Sequence, residues 1–264
     1  MRTLPGSEWQ QQKRAHRERL APYVEPHLER RRLGRPHPVH DFMFTYYSHR
    51  PAQLLQWHPG TSAVDVVEAR LPLIRQLHTL LTATAARPPT LGCFGLHEWA
   101  MVFETDENRH PWPLRLGGAA TDEVVRSHRI GCSHFDAFRF FTPPARPLNT
   151  LQPGRDDRPA YEQPGCLHAS MDLYKHAFRL SPLICSDLVA DCFELAWEIR
   201  ILDMRAAPYD FTGLVLDPSG EEWTPVKIET SAGKAEYVAA QRAFSERAAS
   251  LRQRLIACCA RLRR

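Results

Sequence analysis

The sequence predicts a mainly α protein, one helical domain with a small β element near residues 208 to 228. Three observations predict it. Apolar residues recur at helical spacing in more segments than they alternate, and no helix-strand-helix-strand rhythm appears. A 43% hydrophobic content over 264 residues also supplies enough material for one continuous core. No apolar run approaches the ~20 residues needed to span a bilayer. The N-terminus is rich in Arg and Gln where a secretory signal would be apolar. A cytoplasmic protein without a membrane partner is therefore expected.

Ser7-Glu-Trp-Gln10 reads as a capping box that opens a polar helix, and Gly34 with the Pro36-His-Pro38 turn breaks it. Residues 1 to 35 carry nine Lys or Arg against four Asp or Glu, leaving 25 basic and 26 acidic residues for the rest. Residues 1 to 35 are thus expected as a basic helical arm on a near-neutral globular domain, residues 36 to 264. Arg14, Arg17, Arg19 and Arg30 to Arg32 suit phosphate contact, but equally suit a solvated helix face.

His40 to Trp57 is aromatic on most sides, which suits a buried helix or an interrupted helix pair with Pro51 opening its second half. Leu73, Leu77, Leu80 and Leu81 give the next helix its core stripe, ended before Arg87-Pro88-Pro89. Gly95 to Glu104 reads as a short helix and 105 to 120 as a loop, with a further helix starting near Thr121. Ile130 to Phe141 fits both the strand and the helix period. Residues 142 to 165 hold six of the 22 prolines and make an ordered loop that lies over something. Clear helices follow over 167 to 178 and 186 to 202, the latter with Leu188, Cys192, Leu195 and Ile199 as its stripe. A strand pair around Val215, Trp223, Val226 and Ile228 and a closing helix from about Lys234 to Leu262 complete the chain.

Seven cysteines without a Cys-x-x-Cys pair imply reduced thiols, neither a disulfide framework nor a zinc ribbon. No Gly-x-Gly-x-x-Gly, Walker loop or Gly-x-Ser-x-Gly elbow occurs, which removes the usual grounds for dinucleotide binding, P-loop hydrolysis and lipase chemistry.

The chemistry concentrates between Cys132 and His176, where ionisable groups sit among large apolar ones and are expected to be buried, a cost that only partners offset. His168 and Asp172 lie at i and i+4 with Lys175 three residues on, so one helix face carries an imidazole, a carboxylate and an ammonium. A salt-bridged face with one core histidine would use the same residues. Gly165, just ahead, is expected to leave its amides open to an anion. His134 and Asp136 have the spacing of two facial-triad ligands if their segment is a strand. His97-Glu98 adds another imidazole and carboxylate but lacks the zinc signature, since position 101 is Met. Asp187, Asp191, Glu194 and Glu198 share an acidic helix side, expected to be solvated.

Five segments carry a resemblance: residues 40 to 54 (HDFMFTYYSHRPAQL), 95 to 103 (GLHEWAMVF), 132 to 142 (CSHFDAFRFFT), 162 to 169 (EQPGCLHA) and 203 to 210 (DMRAAPYD). Together they make most of the chain resemble a bacterial family labelled 3-methyladenine DNA glycosylase. That resemblance implies release of a modified or alkylated purine by N-glycosidic hydrolysis. The helix-hairpin-helix of well-known glycosylases of that name has no counterpart here, so roles are argued from these residues alone. Tyr46, Tyr47, Phe135 and Phe138 suit base stacking, with Arg50, Arg139 and Lys175 as charged substrate contacts. Asp136 or Asp172 would stabilise the sugar cation, and His134 or His168 would handle the proton. The near-neutral body is a poor footprint for duplex DNA, so a nucleoside or nucleobase partner stands beside damaged DNA. No metal is required on this reading. The alternative is a metal-dependent oxygenase or hydrolase in which His97, Glu98, His134, Asp136, His168 and Asp172 supply ligands to iron, manganese or zinc. A helical binding protein without catalysis is the third reading.

Overall fold

The computed structural model describes residues 6–107 and 110–263. The first five residues of the expected arm, residues 108 and 109 of the 105 to 120 loop, and residue 264 lie outside them. In chain order come α1 (Gly6–Arg32), a π-helical turn (Phe42–Tyr46), α2 (Pro51–Leu54), α3 (Val64–Ala85), α4 (Leu96–Ala100), α5 (Gly118–Arg126) and α6 (Phe135–Phe138). A 3-10 turn (Arg146–Leu148), α7 (Arg158–Tyr161), α8 (Leu167–Leu180), α9 (Ser186–Arg205), β1 (Val215–Leu216), β2 (Glu221–Glu222) and α10 (Ser231–Leu262) follow. The fold is mainly α, as the periodicity predicts.

α8 and α9 pack against each other at the centre, and α10 lies across both and against α3. Their sequences explain this. α9 buries Leu188, Cys192, Leu195 and Ile199 and, round the rest of its circumference, Phe193, Trp197 and Leu202, so it is a core helix rather than an amphipathic surface one. Tyr174 of α8 meets Phe193 edge-on at 5.2 Å, and Phe193 continues to Trp197 at 5.7 Å.

α1 is joined to this core along one face. Leu20 and Val24 are fully buried. Arg19 forks onto α9, its Nε donating to Glu194 and one Nη to Asp191, each at 2.8 Å. The acidic side of α9 is also held by α10 through Arg247 to Glu198 (2.7 Å) and Arg254 to Asp191 (2.6 Å). The carboxylates expected to be solvated therefore bind three helices together.

Boundaries shift where local chemistry overrides periodicity. The aromatic segment 40 to 57 is a π turn and α2, separated where Ser48 takes φ 57°. The 95 to 104 helix stops at Ala100. Residues 130 to 141 are neither one strand nor one helix, because Ile130 makes an isolated parallel bridge to Asn149 before α6 begins. The Pro-rich loop does lie over that segment. Asn149 clasps Cys132 by accepting its amide (2.7 Å) and donating to its carbonyl (2.9 Å). The β element is one short antiparallel hairpin pairing Val215 with Glu222 and Leu216 with Glu221. Trp223, Val226 and Ile228 are buried beyond it.

Candidate metal centre beside a charged cluster

α4 is short, and its placement depends on the residue before it. Gly95 has φ 69°, a region costly for L side chains, and a Cβ there would stand 3.3 Å from Ala206 Cβ. The tight approach sets His97 and Glu98 against the C-terminal turns of α9. Arg200 and Asp203, three apart on that helix, face them: Arg200 Nη1 donates to Asp203 Oδ2 at 2.7 Å and to Glu98 Oε1 at 3.2 Å. The guanidinium also lies over the Phe42 ring at 4.1 Å.

The other Asp203 oxygen, Oδ1, points at His97 Nε2 from 3.0 Å. The two atoms are buried and pair with each other, and neither has a further partner among the described residues. His168, from the first turn of α8, completes the group. Its ring meets that of His97 edge-on at 4.4 Å, and one atom each from His97, His168 and Asp203 lie within 4.8 Å of one another. His168 is the least buried of the three and sits where a small cavity opens. Burial and then the neighbouring His97 push its pKa well below the ordinary histidine value. Burial opposes protonation of His97 too, but the Asp203 charge outweighs it and raises that pKa. The cavity leaves about 20 Å³ for the centre of a water molecule, room for roughly one. Cys93, Cys132 and Cys166 share its lining, their thiol pKa values raised by burial, that of Cys132 to about 12. They are neutral thiols near pH 7.

A second cluster adjoins. Asp172, one helical turn beyond His168, accepts from Arg158 Nη2 (2.9 Å), Lys175 Nζ (3.3 Å) and the Tyr47 hydroxyl (3.3 Å). Lys175 also donates to Asp136 (2.9 Å) and Arg158 to Glu162 (2.5 Å). Burial opposes ionisation of Asp172, but Lys175 and His134 hold its pKa well below the usual carboxylate value. His134 links the clusters. Its ring lies 5.4 Å from that of His168, and its Nε2 lies 3.4 Å from Asp172 and 3.6 Å from Glu162. Neither ring nitrogen has a hydrogen-bond partner among the described residues.

The structure therefore divides the sequence candidates. His97 and His168 converge, with Asp203 as a carboxylate that the sequence reading did not single out. Asp136 and Asp172 belong to the neighbouring salt-bridged cluster, and Glu98 faces Arg200. His134 and Asp136 are not a strand pair, since α6 begins between them and turns Asp136 toward Lys175. Gly165 does not present an open amide, because Gln163 Oε1 takes it at 2.6 Å. Among the proposed substrate contacts, Tyr47 is buried, Tyr46 is half-buried and stacked on Phe42 at 4.7 Å, and Phe135 is half-buried at the start of α6. Phe138 packs edge-on against Phe141, Arg139 covers Phe140, and Arg50 is exposed ahead of α2.

A comparable group, His37, His40 and Asp217, is already committed. Asp217 accepts from Arg30 and pairs with His40, each at 2.9 Å, and His37 bonds the Val215 carbonyl at 3.2 Å. Comparison with family models, curated proteins and solved structures gives no match for this chain.

Proposed function

We propose that this protein is a divalent-metal-dependent hydrolase whose ion is held by His97, His168 and Asp203. One observation carries the reading. Two imidazoles and a carboxylate converge in the core within 4.8 Å of one another, and His97 Nε2 and Asp203 Oδ1, 3.0 Å apart, have no partner but each other among the described residues. Two histidines and one carboxylate are a ligand set for zinc, manganese or non-haem iron with open positions. Arg200 supports it by holding Asp203 Oδ2, which fixes Oδ1 toward the centre in the way outer hydrogen bonds orient metal ligands.

A bound divalent ion lowers the pKa of its water and so supplies a hydroxide nucleophile near neutral pH. The protein's own groups do the rest. The cavity admits about one water beside His97 and His168, and its thiol walls carry no competing charge. His134, its ring 5.4 Å from that of His168 and its Nε2 within 3.6 Å of the Asp172 and Glu162 carboxylates, would be the nearest further imidazole for moving a proton. Asp172 acts as the group that orients His134; with Arg158 and Lys175 on it, it is poorly free to stabilise a sugar cation directly.

N-glycosidic hydrolysis of a modified purine is the substrate reading we attach to this centre, alongside the wider hydrolase class. The half-buried Tyr46, stacked on Phe42 and next to Tyr47 above Asp172, supports it as a surface on which a base could stack. The test is release of free base from alkylated DNA and from alkylated nucleosides, followed by chromatography. The reading expects release that a chelator abolishes and added metal restores. Metal-bound protein that releases no base from either substrate ends the glycosidic assignment and leaves the hydrolase centre.

A further inference from the structure

Arg252 of α10 is only 1% exposed, yet no hydrogen bond or ion pair to it occurs among the described residues. Its Nε and one Nη are buried without partners. Guanidinium stays charged in a protein, and a buried charge with neither counter-ion nor hydrogen bonds is among the costliest arrangements a fold can hold. Glu162, whose charge acts on Arg252, stands beyond ion-pair distance and is committed to Arg158 at 2.5 Å. The Arg252 side chain lines a groove of about 260 Å³ between the end of α3 and α10. Arg87 lines the same groove, with one Nη on the Glu162 and Ala83 carbonyls. Ser245 and Gln253 add polar groups, while exposed Glu246 occupies the rim without pairing to Arg252.

We infer that the groove is an oxyanion-binding site in which a phosphate or carboxylate group completes Arg252, with Arg87 as the second cation. The planar guanidinium matches such groups with two parallel hydrogen bonds. The two nitrogens now without partners are buried beneath the groove, and a turn of the side chain toward it would present them as such a pair. The site lies on the reverse side of the 162 to 166 segment, whose other side reaches His134 and the small cavity, so it is separate from the proposed metal ligands.

The test is thermal unfolding of the full chain in chloride buffer at fixed ionic strength, titrated with inorganic phosphate, acetate or further chloride. Saturable stabilisation by phosphate of at least about 4 °C is expected, since a ligand of the folded state alone raises Tm with concentration. Acetate giving the larger shift would assign the site to carboxylates; chloride is expected to give none. Arg252→Met should lose the shift and, without anion, unfold no lower than wild type, because it removes an uncompensated charge. Arg252→Lys, which keeps a charge without the fork, serves if the Met variant does not fold and should respond at least about fivefold more weakly. Wild-type Tm indifferent to both oxyanions, or an unchanged shift in either variant, overturns the site. His168→Leu should keep the shift, so failure here and failure of the metal centre are read separately.

Discussion

Asp203, the carboxylate of the proposed centre, shows how hard a single residue can be to see in a sequence. It opens the 203 to 210 segment with no ligand spacing to mark it, and its two partners lie about 35 and 106 positions away, in α8 and α4. A signal was nonetheless there. Arg200 and Asp203 interrupt the run Ile199, Ile201, Leu202, Met204, and two opposite charges three apart in so apolar a helix imply a buried pair with a purpose. The histidines were easier, because each stands in a cluster of apolar neighbours. Substitution separates the ligands from the charges beside them. The His168 ring makes no hydrogen bond among the described residues, so His168→Leu should change stability by less than about 1 kcal/mol while abolishing metal binding. Asp172→Asn should do the reverse. It strips Arg158 and Lys175 of a shared buried carboxylate, costing about 3 kcal/mol by chemical denaturation, and should leave metal stoichiometry intact. Equal metal loss in both variants would place the ion in the wrong cluster.

At the scale of elements, the long helices were legible because their apolar stripes recur over many turns, as Leu77, Leu80 and Leu81 do in α3 and Leu188 to Ile199 in α9. The short ones were not. α4, α6 and α7 run four or five residues each and owe their position to contacts distant in sequence, such as the Asn149 clasp on Cys132. These are the elements that deliver His97, Asp136 and Arg158, so the parts of the site that depend on them could not be assembled from periodicity. Gly165 gives a direct test of one such junction. A Cβ there would lie 2.5 Å from the Thr90 carbonyl oxygen, so Gly165→Ala must move the chain entering α8 and with it His168. A fall in stability of at least about 2 kcal/mol with weakened metal binding is expected, measured by denaturation and metal titration. Thr230→Ala, which removes the hydroxyl that accepts from the Gly233 amide at 3.0 Å, should cost only about 1 kcal/mol and spare metal binding.

At the scale of the whole molecule, histidines in the core make the fold sensitive to acid well before its carboxylates titrate. Burial lowers the pKa of His49 to about 4 and that of His176 and His40 to about 3. Their unfolded value is near 6.5, so between that pH and the folded values the unfolded chain binds more protons. Stability is therefore complete above about pH 6.5 and falls below it, by about 1.4 kcal/mol per pH unit for each group until its folded pKa is reached. Tm should drop steeply between pH 6.5 and 5, and a flat profile down to pH 4.5 would contradict the buried neutral histidines. No helix among the described residues is long and apolar enough to cross a membrane, which agrees with the reading of the sequence.

Elemental analysis of the 264-residue chain, purified without chelator or metal-affinity resin, tests the central claim most directly. The His97, His168 and Asp203 centre predicts about one equivalent of zinc, manganese or iron per chain in the wild type and in Asp172→Asn, and none in His168→Leu. Wild-type protein that carries no such metal, and takes up none when zinc, manganese and ferrous iron are each supplied, would contradict it.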